Sequence, residues 1–171
     1  MKSPDTDRRR LLTGGMGAAV GLAGIAAAQA TQAGATCGGM PRERYLQYVN
    51  WFNVNDPRYL DFYHPDVVLE LGNTTLKSAK AIHEFYNEVK AHIHEKVEVS
   101  RYVADATGIA AELPTEFRCY RDWPDGYFRR PLKVGEVFRV ITFGLYEVES
   151  GRFTRIRTAR YKMVNDWQLE G

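Results

Sequence analysis

Two cysteines in 171 residues are too few for a disulfide-stapled scaffold. Seven prolines and 15 glycines are far from collagen-like or low-complexity composition. The phosphate-cradling patterns GxGxxG and GxxxxGK[ST] are missing, so a nucleotide-binding loop of either kind is not expected. There is no internal repeat and no polytopic membrane pattern. Charge of one sign is also scarce: 23 Lys+Arg stand against 21 Asp+Glu, a formal charge of +2.

That small excess is local. Asp7-Arg8-Arg9-Arg10-Leu11-Leu12 precedes an uncharged Gly/Ala-rich run from Leu11 to Ala28, and Ala28-Gln29-Ala30 has the small-x-small pattern of a signal-peptidase site. This reads as a leader over residues 1–30. Its paired arginines resemble a twin-arginine (Tat) export signal, which implies a periplasmic protein. A Sec signal and a retained anchor are the alternatives, though Gly and Ala contribute little to membrane insertion. Removing the leader's four basic and two acidic residues leaves 19 of each. A neutral mature chain gives no electrostatic case for nucleic acid, or for a membrane surface after cleavage. Residues 31–40 read as a flexible linker and 41–171 as one domain. A Cys37–Cys119 bridge is compatible with that compartment, but nothing in the sequence fixes their distance.

Within the domain, helical spacing predicts a first helix from Pro41, with Tyr45, Val49 and Phe52 as its apolar stripe. A short helix follows over Pro57–Phe62, a strand over Val67–Leu71, and a helix from Ser78 to Ile93 with Ser78 as N-cap. Strands are predicted over Lys96–Val103, Ile109–Tyr120, Gly135–Val148 and Phe153–Val164, with tight turns at Trp123–Gly126 and Glu149–Gly151. Helices first and long strands afterwards indicate an α+β fold.

Several strings occur in a recognisable order: Phe62-Tyr-His-Pro-Asp-Val-Val68, Ala81-Ile-His-Glu-Phe-Tyr86, Val103-Ala-Asp-Ala-Thr-Gly-Ile-Ala-Ala-Glu112 and Val148-Glu-Ser-Gly-Arg-Phe-Thr-Arg-Ile-Arg157. Together the chain resembles the SnoaL-like branch of the NTF2-like superfamily. The resemblance implies a cone: a curved antiparallel sheet wrapped around three helices of the N-terminal half, with a pocket at one end. It also implies a homodimer, a small-molecule substrate and, for most members, no cofactor. Ketosteroid isomerases, polyketide cyclases, dehydratases and epoxide hydrolases share the fold, so fold alone does not settle function.

Candidate catalytic residues follow from chemistry and resemblance together. His64 at a pocket rim can exchange a proton near neutral pH. Tyr45 or Tyr48 on the first helix matches the position of an oxyanion-binding tyrosine. Glu112 is a carboxylate whose strand face alternation alone leaves open. Arg157 could stabilise negative charge. The isomerase base position falls on Leu71 rather than Glu70, and the epoxide-hydrolase arginine–aspartate pair would be Arg157 and Ala159, so both of those mechanisms lose a carboxylate. Trp51, Phe85, Tyr86, Phe117, Tyr120, Trp123 and Tyr161 are the expected aromatic substrate contacts. His92 and His94 lack a third ligand, and no metal site is expected. The expected function is a cofactor-independent periplasmic acid–base enzyme, of lyase, dehydratase or isomerase type, acting on a small apolar hydroxylated, aromatic or polycyclic compound. A non-catalytic small-molecule-binding protein is the alternative, and an assembly protein acting through its convex sheet is a third reading.

Overall fold

Periodicity in the chain switches from helical to alternating near residue 93, and the structure follows it. The computed structural model describes residues 39–170; the leader, residues 31–38 with Cys37, and Gly171 lie outside them. Helix α1 (Arg42–Asn53) buries Tyr45, Tyr48, Val49 and Phe52. A 3₁₀ turn (Pro57–Phe62) follows, capped by Asp56, whose side chain accepts from the Arg58 backbone N–H. Strands β1 (Tyr63–Leu71) and β2 (Thr74–Lys77) form a hairpin. Helix α2 (Ala79–Lys90) starts at Ser78, whose Oγ accepts from Ala81 N at 3.2 Å. Strands β3 (Ile93–Val97), β4 (Arg101–Ala104), β5 (Gly108–Cys119), β6 (Glu136–Glu149) and β7 (Arg152–Leu169) complete the chain. Among the described residues, no helix is long and apolar enough to cross a membrane.

The seven strands form one sheet in the order β2-β1-β7-β6-β5-β3, with β4 also paired to β5. Long strands of one hand of twist coil as they pair, and β5, β6 and β7 are the longest. The expectation of an antiparallel sheet needs one correction: β1 pairs with β7 in parallel, Leu69 opposite Ile156. The connection from β1 to β7 spans most of the domain, so no hairpin constrains its direction. At the β6–β7 hairpin, Ser150 and Gly151 both have positive φ, 50° and 74°, the backbone that a two-residue turn between right-twisted strands requires.

Other differences have local causes. The helix predicted to reach Ile93 stops at Lys90, and Ile93 opens β3. The strand expected over Lys96–Val103 is two strands. Pro114 lies opposite their junction: Val97 pairs with Thr115 and Arg101 with Glu112, while Glu98 N donates to the Pro114 carbonyl at 2.8 Å. Proline offers no N–H in return, so the ladder breaks there. The four-residue strand β2 was not expected. Met40, assigned to the flexible linker, is 2% exposed, and its carbonyl accepts from Tyr102 Oη.

The core has two parts. The larger contains Tyr45, Tyr48, Tyr59, Phe62, Tyr63, Tyr146 and Phe153 between α1 and the concave face of the sheet. The smaller joins Val89, Ile93, Cys119, Trp123 and Leu132, flanked by Phe85, Phe117, Phe128 and Trp167. Cys119 behaves as a core residue: its Sγ donates to the Arg121 carbonyl at 3.1 Å, and burial raises its pKa.

Candidate active site

Alternation along β3 sends Ile93, Glu95 and Val97 to the concave side and His94 and Lys96 outward. A carboxylate therefore enters the cone from a strand otherwise apolar on that face. Glu95 lines both an outer cavity of about 630 Å³ and a deeper one of about 120 Å³. The outer cavity is walled by Leu71 at the end of β1, Phe85, Tyr86 and Val89 of α2, Phe117 of β5, and Phe138, Val140 and Thr142 of β6. Gly72, Asn73 and Thr74 at the β1–β2 turn, Tyr127, Phe128 and Arg129 from the β5–β6 loop, and Thr158, Ala159 and Arg160 from β7 complete it. The deeper cavity adds Tyr48, Phe52, Leu113, Thr115, Tyr146 and Ile156.

Glu95 Oε2 is buried without a hydrogen-bond partner among the described residues. Burial disfavours the charged form and pushes its pKa up to about 7, against a smaller opposing pull from Lys90. Lys90 shows the reverse: burial lowers it to about 8, partly offset by Glu95. Its ammonium donates to the Phe52 carbonyl and lies 3.7 Å from the Phe52 ring centre. It forms no contact ion pair with Glu95 among the described residues, so the carboxylate stays free. Tyr86 lines both cavities, and its pKa lies well above the ordinary phenol value, through burial and then the Glu95 charge. The phenol therefore remains a hydrogen-bond donor at any physiological pH. Thr142 and Thr158 add hydroxyls to the lining of both cavities.

Of the residues singled out from sequence, the structure brings Phe85, Tyr86 and Phe117 into the outer cavity and Tyr48 into the inner one. Tyr48 is committed elsewhere, its Oη 2.9 Å from Tyr63 Oη. Tyr45 is fully buried in the core outside both cavities, and its Oη has no hydrogen-bond partner among the described residues. His64 is exposed on β1, where its Nδ1 accepts from Asp66 N at 3.2 Å; it closes a local turn rather than a pocket rim. Glu112 lies on the opposite face of β5 from Ala111, Leu113 and Thr115, paired with Arg101 at 3.2 Å. Arg157 is also on the convex side, paired with Glu147 at 2.9 Å.

Strict alternation along β7 would put Arg155 and Arg157 on the same face as Phe153. The register jumps from Val148–Phe153 to Glu147–Arg155, so Thr154 is an extra residue in β7. That bulge reverses the alternation: Phe153 and Ile156 point inward and the arginines outward.

The remaining aromatic candidates are placed away from the cavities. Trp51 stacks under Arg58, 4.6 Å from the guanidinium. Tyr120 lies on His94, ring centres 4.3 Å apart, and donates to the Lys90 carbonyl at 2.7 Å. Trp123 anchors the loop in the smaller core, stacked on His92. Tyr161 is 63% exposed and packs on Phe143 outside the sheet. Among the described residues no cluster of His, Cys, Asp and Glu could hold a metal. Glu95 itself was missed. The signal was present in the period-two pattern Ile93-His-Glu-Lys-Val97, hidden by the assignment of Ile93 to a helix.

No family model matches the chain, and no curated protein does either. Solved structures do match. An LEH-like epoxide hydrolase from Mycobacterium tuberculosis is 14% identical, with a TM-score of 0.56 over 68% of this chain and 79% of its own. A candidate polyketide cyclase from Pseudomonas putida is 16% identical, with a TM-score of 0.58 over 70% and 90%. An NTF2-like protein of unknown function from Burkholderia pseudomallei is 13% identical, with a TM-score of 0.53 over 68% and 87%. At such identities the likeness is one of fold: residues 39–170 form an NTF2-like cone, a curled mixed sheet closed by helices.

Proposed function

We propose that the protein is a cofactor-independent acid–base enzyme in which Glu95 is the proton acceptor. The observation that carries this reading is a carboxylate without a partner at the junction of two cavities in an apolar enclosure. A base with a pKa near 7 combines an available ionised form with useful basicity. Glu95 would take a proton from a carbon activated by a neighbouring carbonyl or hydroxyl group. The Tyr86 O–H would donate to the oxygen on which negative charge develops. Elimination, isomerisation or carbon–carbon cleavage can each follow from that intermediate. Phe85, Phe117, Phe128 and Phe138 would hold a small aromatic or polycyclic body. Arg157, His64 and Glu112 have no part in this scheme.

The twin-arginine leader, by resemblance, would deliver the folded domain to the periplasm. The homodimer implied by the same resemblance would use the convex sheet, where Phe143, Leu145 and Tyr161 are exposed. A non-catalytic binding protein is the second reading, favoured by the apolar Leu71 at the isomerase base position and by the mostly apolar lining.

The two readings separate in a substrate-independent assay. Deuterium exchange at the α-carbon of 2-tetralone in D₂O, followed by NMR, reads proton abstraction directly. The enzyme reading expects acceleration by the full chain and its loss in Glu95→Gln. Exchange at the buffer rate, or acceleration undiminished in the variant, overturns it.

A further inference from the structure

The rim of the outer cavity is charged in one sense only. Arg129 and Arg160 both line it and are exposed. Glu95 is its one acidic lining residue, and it lies deep enough to line the inner cavity as well. Many other arginines of the sheet are neutralised by a partner: Arg101, Arg118, Arg139, Arg155 and Arg157 all make ion pairs with glutamates. Arg129 and Arg160 make none among the described residues, and neither guanidinium has a hydrogen bond there.

Two features of the backbone place them at the rim. Arg129 has φ of 54°, a left-handed conformation that costs a side-chain-bearing residue on the order of 1 kcal/mol or more. The turn is closed by Arg129 N donating to the Gly126 carbonyl at 3.0 Å and tied down by the Trp123–Leu132 bridge. On β7 the register passes from Thr142–Arg160 to Ile141–Lys162, leaving Tyr161 as an extra residue. A bulge of this kind re-aims side chains beside a site. Arg160, ahead of that bulge, follows Ile156 and Thr158 on the concave face opposite Thr142, and the bulge turns Tyr161 onto the convex Phe143.

Resting on the reading of Glu95 as a base, we infer that the substrate is an aromatic or polycyclic carboxylate: its apolar body fills the outer cavity, and its carboxylate is held by Arg129 and Arg160 at the rim, away from the carbon that reacts at Glu95. Guanidinium groups suit this role because their planar N–H forks match carboxylate geometry. The arrangement would also fix the direction of entry, anion outward, because the opposite orientation brings the carboxylate towards Glu95.

The test is binding, so it does not depend on turnover. Naphthalene-2-carboxylate and its neutral isostere naphthalene-2-carboxamide are titrated calorimetrically into the full chain at pH 7 and low salt. The carboxylate is expected to bind about tenfold more tightly, an advantage that shrinks in 0.5 M NaCl because exposed charges are screened. In Arg129→Gln/Arg160→Gln the two probes should agree within about twofold, a residual that long side chains at an exposed rim allow. Equal affinities in the unmodified chain, a preference that survives in the double variant, or no binding of either probe overturns the proposal. Its failure is distinguishable from that of the base. Tetralone exchange by the unmodified chain together with equal affinities for the two probes leaves the base intact without the anchor. A carboxylate preference without any exchange leaves the anchor without the base.

Discussion

The two faces of the sheet treat the same side chains differently. On the convex face, glutamates and arginines pair across strands: Glu112 with Arg101, Glu147 with Arg157, Glu70 with Arg155, and Glu116 with Arg139 at 2.7 Å. On the concave face there is one glutamate in the cavities, and no arginine reaches it. A partly solvated pair contributes little, because water already screens both charges. A lone buried carboxylate is costly, and the cost appears as a displaced pKa. What separates Glu95 from Glu112 is therefore strand parity and environment rather than residue type. An arrangement that costs stability without packing anything is a candidate for function.

The sharpest test of that contrast is a pair of isosteric variants. In Glu95→Gln, proton exchange should fall by about 10²–10⁴-fold, the usual contribution of a positioned general base. Glu112→Gln and Arg157→Ala should stay within about twofold in the same assay, and their Tm should move by no more than about 2 °C. Comparable losses in Glu95→Gln and Glu112→Gln would erase the distinction between the faces.

Stability should show the same asymmetry. Glu95 has a folded pKa of about 7 against an ordinary value of 4.5, so between those values the folded state holds more protons than the unfolded one. Its contribution is least unfavourable below about pH 4.5 and worsens as pH rises through 7. Urea unfolding of the unmodified chain should therefore lose stability between pH 5 and 8 relative to Glu95→Gln. Parallel curves for the two proteins would show that the carboxylate is not penalised by burial. Lys90→Met removes the charge that holds Glu95 down. The acid limb of the exchange-rate profile should then move to higher pH, whereas a purely structural role for Lys90 would leave the limb in place.

Much of the fold was legible because alternation and capping are local. Ser78 as N-cap, the shared face of Ala111, Leu113, Thr115, Phe117 and Cys119 on β5, and the Ser150-Gly151 turn all follow from neighbouring residues. The site was less legible because it depends on departures from regularity. One extra residue at Thr154 turns Arg157 outward and, by the same change of parity, Arg160 toward the cavity. A helix three residues shorter than its periodicity suggested releases Ile93 into β3, which carries Glu95 inward. Bulges and helix ends are set by pairing with distant strands, and a sequence window does not contain those strands.

The smallest expected effect lies within the core, between two tyrosines that the sequence could not tell apart. Tyr48 and Tyr45 are three residues apart on α1, and both are buried. Tyr48 Oη shares a hydrogen bond with Tyr63, while Tyr45 Oη is buried without a partner. Removing a satisfied buried hydroxyl loses its bond and orphans the other partner, at about 1 kcal/mol or somewhat more. Removing an unsatisfied one takes away a desolvation cost while the ring keeps its edge contacts with Tyr146 and Phe153. Tyr48→Phe should therefore destabilise the domain in urea by about 1 kcal/mol, and Tyr45→Phe should be neutral or stabilising by up to the same amount. Equal destabilisation by both variants would mean that Tyr45 Oη is hydrogen-bonded in solution. The concave face would then tolerate no unsatisfied group except Glu95, which would sharpen the case that Glu95 is there for its chemistry.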